Sequence, residues 1–212
     1  MSNKKHPNRQ TRFSGPALSE ANKVAILIHG RAQCTDDMFA VADRINLPAV
    51  SYAAIEAANN SWYPEKFMAP RESNQPSLDS ALECLDALVE QIAAHGLPRA
   101  KIVLIGFSQG ACLACEYIYH HPQRWGGLIA FTGGLIGPEG TSWSKSGCLD
   151  GTAVLLSNSD YDPWVPLQRT QDTLDVFHDM GAVVEGHVYL NREHIICEGE
   201  IDLARGALLR IP

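Results

Sequence analysis

The stretch from Lys101 to His121 constrains this chain more than any other. Lys101 to Phe107 is an apolar run that reads as a buried strand, and Gln109 to His121 carries the period of a helix. Only Ser108 separates them, at the centre of Gly106-Phe107-Ser108-Gln109-Gly110. A strand that passes into a helix across one residue must turn sharply. Glycine on either side of the turn removes the Cβ atoms that would collide where helix and sheet approach. The serine hydroxyl is then lifted above the carboxyl edge of a sheet.

Strand and helix signals alternate along the rest of the chain in the same way. Val24 to His29 is the first clear strand, Thr35 and Asp36 open a helix to about Leu47, and Ala49 to Ile55 reads as the next strand. Leu78, Leu82, Leu85, Val89 and Ile92 form one stripe of a helix that starts at Pro76-Ser77 and ends at Gly96. Further strands are expected at Trp125 to Thr132, Ala153 to Ser157 and Val183 to Leu190, with helices at Leu167 to Met180 and Gly199 to Leu209. This alternation predicts an α/β protein with a mostly parallel central sheet and helices on both faces. At 212 residues one core suffices. Residues 1–22 are expected to be a flexible N-terminal segment and residues 23–212 a single domain. The aromatic loop from Ala57 to Gln75 and the Gly-rich connection from Gly133 to Gly151 interrupt the pattern, and loops of that length usually serve function.

Composition excludes several classes. A net charge of -7 opposes habitual binding to a phosphate backbone, and the basic residues Lys4, Lys5, Arg9 and Arg12 read as a solvated tail. No apolar stretch reaches membrane-spanning length and no leader pattern is present, so a cytoplasmic protein is expected. The six cysteines are scattered, which suits reduced thiols. Cys112-Leu113-Ala114-Cys115 has redox or zinc spacing, but it falls in a helix without a second pair or suitably spaced histidines. Buried structural thiols are expected there rather than a metal site. A homodimer is compatible with these features.

The turn at Ser108 matches a nucleophile elbow. A serine hydroxyl is a weak nucleophile without a base, and the base needs a carboxylate to fix its tautomer. Both should follow the serine in the chain. Ser159-Asp160-Tyr161-Asp162-Pro163 lies just beyond a strand, where loops open onto the ligand crevice of an α/β sheet. Asp162 is the chosen acid and Asp160 its rival. Of the histidines that follow, His178 falls in a helix and His187 in a strand, which leaves His194 in the loop after the last strand as the base. Oxyanion donors are expected from the Gln109 N–H, at the start of the helix, and the Arg31 N–H, in the turn His29-Gly30-Arg31-Ala32-Gln33. His29 is expected to support that turn, and the Arg31 side chain is given no part in the chemistry.

Together these motifs resemble the phospholipase/carboxylesterase family, which includes acyl-protein thioesterases, short-chain carboxylesterases and dienelactone-hydrolase-like proteins. The resemblance runs from about residue 23 to 210. It rests on His29-Gly30, Trp62-Tyr63-Pro64, the elbow continuing into Ala111-Cys112-Leu113-Ala114, Gly133-Gly134-Leu135, Asp162-Pro163-Trp164-Val165-Pro166, and His194 with Ile196 and Glu200. It implies the three-layer α/β-hydrolase fold without a large cap domain, the triad Ser108, Asp162 and His194, and no cofactor. It also implies a shallow acyl site, for which Trp62, Tyr63, Leu135 and Trp164 are the candidate lining residues. The chain departs from the family at Ala32, where glycine is usual. It also departs from true dienelactone hydrolases, whose nucleophile is cysteine.

The expected function is hydrolysis of short to medium acyl esters through a Ser-His-Asp acyl-enzyme. An acyl-protein or acyl-CoA thioesterase or a lysophospholipase is the alternative. A non-catalytic binding protein on the same fold is a distant one.

Overall fold

A computed structural model describes residues 11–144 and 146–211. Lys4, Lys5 and Arg9 of the basic tail lie outside the described residues. Among the described residues the strands are β1 (Arg12–Ser14), β2 (Val24–Ile28), β3 (Ser51–Ala54), β4 (Ile102–Phe107), β5 (Gly127–Phe131), β6 (Ala153–Ser159) and β7 (Val183–Tyr189). The helices are α1 (Thr35–Ile45), α2 (Ser77–Ala94), α3 (Gln109–His120), α4 (Leu167–Asp179) and α5 (Glu198–Arg210). The strands form one sheet in the order β1-β3-β2-β4-β5-β6-β7. All neighbours are parallel except β1, which runs antiparallel to β3. The fold is of the α/β-hydrolase type.

Strands β2 and β4 are buried along their whole length, as expected of central parallel strands covered on both faces. Their side chains divide by the two-residue period of a strand. Val24, Ile26 and Ile28 join the core that carries α2, α3 and α4, while Ala25 and Leu27 join the one that carries α1 and α5. Helices α2 and α1 each present one apolar stripe: Leu78, Leu85, Val89 and Ile92 of α2 on the first face, Met38, Val41 and Ile45 of α1 on the second.

Two local expectations change. Helix α1 is capped by Cys34 rather than by Thr35 or Asp36; the Asp37 carboxylate accepts the Cys34 N–H at 2.8 Å. The N-terminal segment was expected to be flexible through residue 22, yet Arg12–Ser14 adds a strand to the sheet edge. The Arg12 guanidinium holds it there by donating to Thr35 Oγ1 at 2.7 Å and pairing with Asp36 at 2.6 Å. Three residues are too short to show an alternating pattern, so this strand leaves little trace in the sequence.

Because the sheet is parallel, β2, β4, β6 and β7 all end at the same edge. The turns that follow them carry Arg31, Ser108, Asp162 and His194. This edge is where an open α/β sheet places its ligand crevice.

Candidate active site

Ser108 occupies a backbone conformation of φ 52° and ψ -118°, which lies in the positive-φ region that L residues rarely adopt. The neighbouring glycines explain how the strain is accommodated. A Cβ on Gly106 would meet the Gly110 carbonyl oxygen at 2.5 Å, and one on Gly110 would meet the Ile28 carbonyl oxygen at 2.1 Å. Only hydrogen fits at both, so helix α3 can start hard against β2 and β4. The Ser108 N–H donates to the Phe131 oxygen at 3.0 Å and its carbonyl accepts the Cys112 N–H at 3.0 Å, which ties the turn to β5 and to the helix.

His194 Nε2 lies 2.8 Å from Ser108 Oγ, and His194 Nδ1 lies 2.7 Å from Asp162 Oδ2. An ionised carboxylate can only accept, so the proton sits on Nδ1 and the Nε2 lone pair faces the serine hydroxyl. The other carboxylate oxygen, Oδ1, accepts the N–H groups of Trp164 and Val165, each at 2.9 Å. The Asp162 side chain is fully buried and that of His194 is 21% exposed, so of this pair the imidazole meets solvent and the carboxylate does not. The Phe107 ring packs against the imidazole with centroids 5.0 Å apart.

Asp160 is turned away from this group: its carboxylate accepts the Asn191 N–H at 2.7 Å. His178 and His187 are likewise apart, beside Asp179 and Glu185 respectively.

The turn after β2 is built from its own polar groups. Gly30 N–H donates to Gln33 Oε1 at 2.9 Å, Ala32 N–H to the Asn60 oxygen at 2.8 Å, and Gln33 N–H to the Gly30 oxygen at 3.3 Å. Arg31 lies between these committed groups in the chain and lines the cavity that Ser108 opens onto. Gln109 is the first residue of α3, where backbone N–H groups have no partner within the helix. Ala32 takes φ 62°, the left-handed conformation that glycine adopts at less cost. His29 is fully buried. Its Nε2 accepts the Ala57 N–H at 3.0 Å, so its Nδ1 carries the proton and donates to the Gly30 oxygen at 2.7 Å.

Two side chains at this site were given no structural role from the sequence. The Arg31 guanidinium donates to the carbonyls of Tyr63 (3.0 Å), Pro64 (2.8 Å) and Glu65 (2.6 Å). The Gln109 amide accepts the Trp62 N–H at 3.0 Å and donates to the Tyr63 oxygen at 2.8 Å. Both candidate oxyanion donors therefore sit on residues whose side chains anchor the aromatic loop. Long-range pairing of this kind leaves no periodic signal in a sequence.

A cavity of about 450 Å³ opens beside Ser108 and His194, walled by Tyr63, Pro64, Phe67, Cys112, Trp164 and Val165. Of the four candidate lining residues it takes in Tyr63 and Trp164. Trp62 and Leu135 are corrected: both are fully buried in the core and neither reaches the cavity. The Trp62 indole N–H donates to the His29 oxygen at 2.8 Å, so this residue supports the turn rather than touching a ligand. The Leu135 N–H is held by Thr173 Oγ1 at 2.9 Å. Burial pushes the Cys112 thiol up to about 12, which keeps it protonated and unfit as a nucleophile or metal ligand. Among the described residues no group of three His, Cys, Asp or Glu is arranged to hold a metal ion.

A family profile described as Phospholipase/Carboxylesterase matches residues 16–208. The chain superposes on a phospholipase/carboxylesterase from Dyadobacter fermentans with a TM-score of 0.91, at 39% identity over 97% of this chain and 98% of that one. It is 31% identical over 125 residues to acyl-protein thioesterase 1 of Saccharomyces cerevisiae, covering 58% of this chain and 55% of the relative. A protein of Oryza sativa subsp. japonica named as a probable carboxylesterase is 28% identical over 147 residues, covering 66% of this chain and 54% of the relative. The chain thus spans about half the length of the curated relatives it matches.

Proposed function

The chain belongs to the phospholipase/carboxylesterase family, and on that premise we propose that it is a serine hydrolase of carboxylic esters with short to medium acyl groups. The observation that carries the proposal is the hydrogen-bonded series Ser108–His194–Asp162 at the mouth of a cavity with Tyr63, Phe67, Trp164 and Val165 in its wall.

Ser108 Oγ attacks the ester carbonyl as its proton passes to His194 Nε2, and the imidazolium so formed is stabilised by Asp162. The carbonyl oxygen becomes an oxyanion held by the N–H groups of Arg31 and Gln109, donors of a kind commonly worth about 3–4 kcal/mol each in the transition state. His194 gives its proton to the leaving alkoxide and an acyl-Ser108 remains. Water then attacks with His194 as the base, releasing the acid and restoring the serine. The acyl group lies along Tyr63, Phe67 and Val165. The alcohol leaves past Trp164, which is 62% exposed.

A thioesterase is the second reading, favoured by the likeness to the yeast protein named as an acyl-protein thioesterase. Turnover measured over a matched series of esters and thioesters of increasing acyl length tests the choice. Esters of short to medium chain should give the highest kcat/KM, and a clear preference for long thioesters would replace the first reading by the second. No helix among the described residues is long and apolar enough to cross a membrane. Action in the cytoplasm is part of the proposal.

A further inference from the structure

His194 is the middle residue of a tight turn closed by the Ile195 N–H donating to the Glu193 oxygen at 2.8 Å. One such bond leaves the turn free to fray, since it lies in the loop between β7 and α5. The neighbouring Arg192 supplies what the turn lacks. Its Nη1 donates to the Glu193 oxygen at 2.8 Å and also to the Ile195 carbonyl, so one guanidinium grips the carbonyls of the residues on either side of His194.

The other end of the fork is tied to the sheet. Arg192 Nη2 donates to Thr132 Oγ1 at 2.6 Å and lies 3.7 Å from Glu200 Oε1. Thr132 follows β5 and donates its N–H to the Ser157 oxygen of β6 at 2.8 Å. Glu200 Oε1 accepts the Ser157 hydroxyl at 2.6 Å, and Oε2 accepts the Cys197 N–H at 2.8 Å. The Arg192 and Glu200 side chains are only 6% and 0% exposed.

Capping of α5 needs Glu200 and Cys197 alone, so it does not account for a buried guanidinium. Desolvating such a pair is costly, and similar volume could be filled by apolar groups at no loss of stability. A planar fork can hold two carbonyls and a hydroxyl in one fixed arrangement, which neither an apolar group nor an ammonium can do.

We propose that Arg192, anchored by Glu200, is a positioning residue that fixes the His194 turn so that the imidazole stays in line between Asp162 and Ser108. This rests on reading Ser108, His194 and Asp162 as the triad. It makes no contact with substrate and acts through His194 alone.

The test compares Arg192→Met and Arg192→Lys with the unaltered protein. Three quantities are read: the downfield Nδ1 proton resonance of His194, kcat and KM on a p-nitrophenyl ester, and the thermal unfolding midpoint. His194→Ala assigns the resonance. In folded Arg192→Met the resonance should broaden away and kcat should fall about 100-fold, the loss typical of a misplacement near 1 Å, with KM changed less than about 3-fold. If that variant does not fold, Arg192→Lys keeps a charge beside Glu200 but cannot span both carbonyls, and should lose about 10-fold in kcat with the same loss of signal.

A folded variant of either kind with the resonance and kcat intact would overturn the proposal. A change confined to the unfolding midpoint would do so too. Failure of the catalytic reading is distinguished by the unaltered protein itself, which would then show no turnover that depends on Ser108, whereas the resonance comparison needs no turnover.

Discussion

Asp162 meets His194 with only one of its two oxygens. Oδ2 lies 2.7 Å from His194 Nδ1, while Oδ1 is occupied by the Trp164 and Val165 N–H groups at 2.9 Å each. The loop's own N–H groups thus hold the carboxylate independently of the histidine and leave one acceptor facing Nδ1. Asp162→Asn keeps an oxygen for the two N–H groups but turns an amide donor toward the imidazole, which then has to hold its proton on Nε2. With the base protonated on the wrong nitrogen, kcat on a p-nitrophenyl ester should drop about 10³–10⁴-fold while the protein stays folded. A loss below about 10-fold would remove Asp162 from the mechanism.

Ala32 carries a conformational cost that glycine would not. An L residue in the left-handed region pays about 1–2 kcal/mol, and Ala32 sits there at φ 62°. Glycine gives back part of that gain through the freedom of the unfolded chain. Ala32→Gly is therefore expected to stabilise the protein by about 0.5–1 kcal/mol, read from the shift in denaturant midpoint at unchanged slope. Destabilisation would mean that the methyl group contributes packing that outweighs its backbone strain.

Trp62 and Trp164 should respond to truncation in opposite ways. Trp62 is fully buried and bonded to the His29 oxygen, so Trp62→Ala is expected to cost about 3–5 kcal/mol of stability. Trp164 is exposed at the cavity mouth, so Trp164→Ala should leave the unfolding midpoint nearly unchanged and raise KM for bulky esters. Denaturant unfolding and steady-state kinetics on both variants check the pair. Equal destabilisation would contradict the distinction.

The sequence made the sheet and the elbow legible because both depend on short-range pattern: the apolar runs of β2 and β4, and glycines at fixed offsets from Ser108. Asp162 and His194 could be picked out because each falls just past a strand that ends at the same edge. What was not legible rests on contacts between distant segments. Arg31 reaches the Tyr63–Glu65 carbonyls, and Gln109 holds Trp62. Trp62 and Leu135 are lining candidates through the family resemblance, which carries no information on which way a side chain turns. Their side chains instead turn inward, since a large apolar group gains more from the core than from an open cavity.

Acid should loosen the link between the two long loops. Glu116 in α3 is buried, pairs with Arg71 of the first loop and with His120 at 3.0 Å, and accepts the Ile136 N–H of the second at 3.2 Å. Burial alone would raise its carboxyl, but the His120 hydrogen bond and the Arg71 charge outweigh it and hold it below its ordinary 4.5. A depressed folded-state value means that the stabilisation is present in full above about pH 4.5 and is lost as pH falls through the folded value. The difference in unfolding midpoint between the unaltered protein and Glu116→Gln should be large at neutral pH and shrink as the pH falls below the ordinary 4.5 and through the lowered folded value. A gap that stays constant with pH would show that the carboxylate charge is not what stabilises the link.

The central claim is that Ser108 is the nucleophile, and covalent trapping addresses it most directly. A fluorophosphonate mimics the tetrahedral species and should form one adduct, located by mass spectrometry on Ser108, at a rate that tracks the loss of ester turnover. Ser108→Ala should fold normally, take no label and show no hydrolysis above background. Unchanged turnover in folded Ser108→Ala, or inactivation with the label on another residue, would contradict the account.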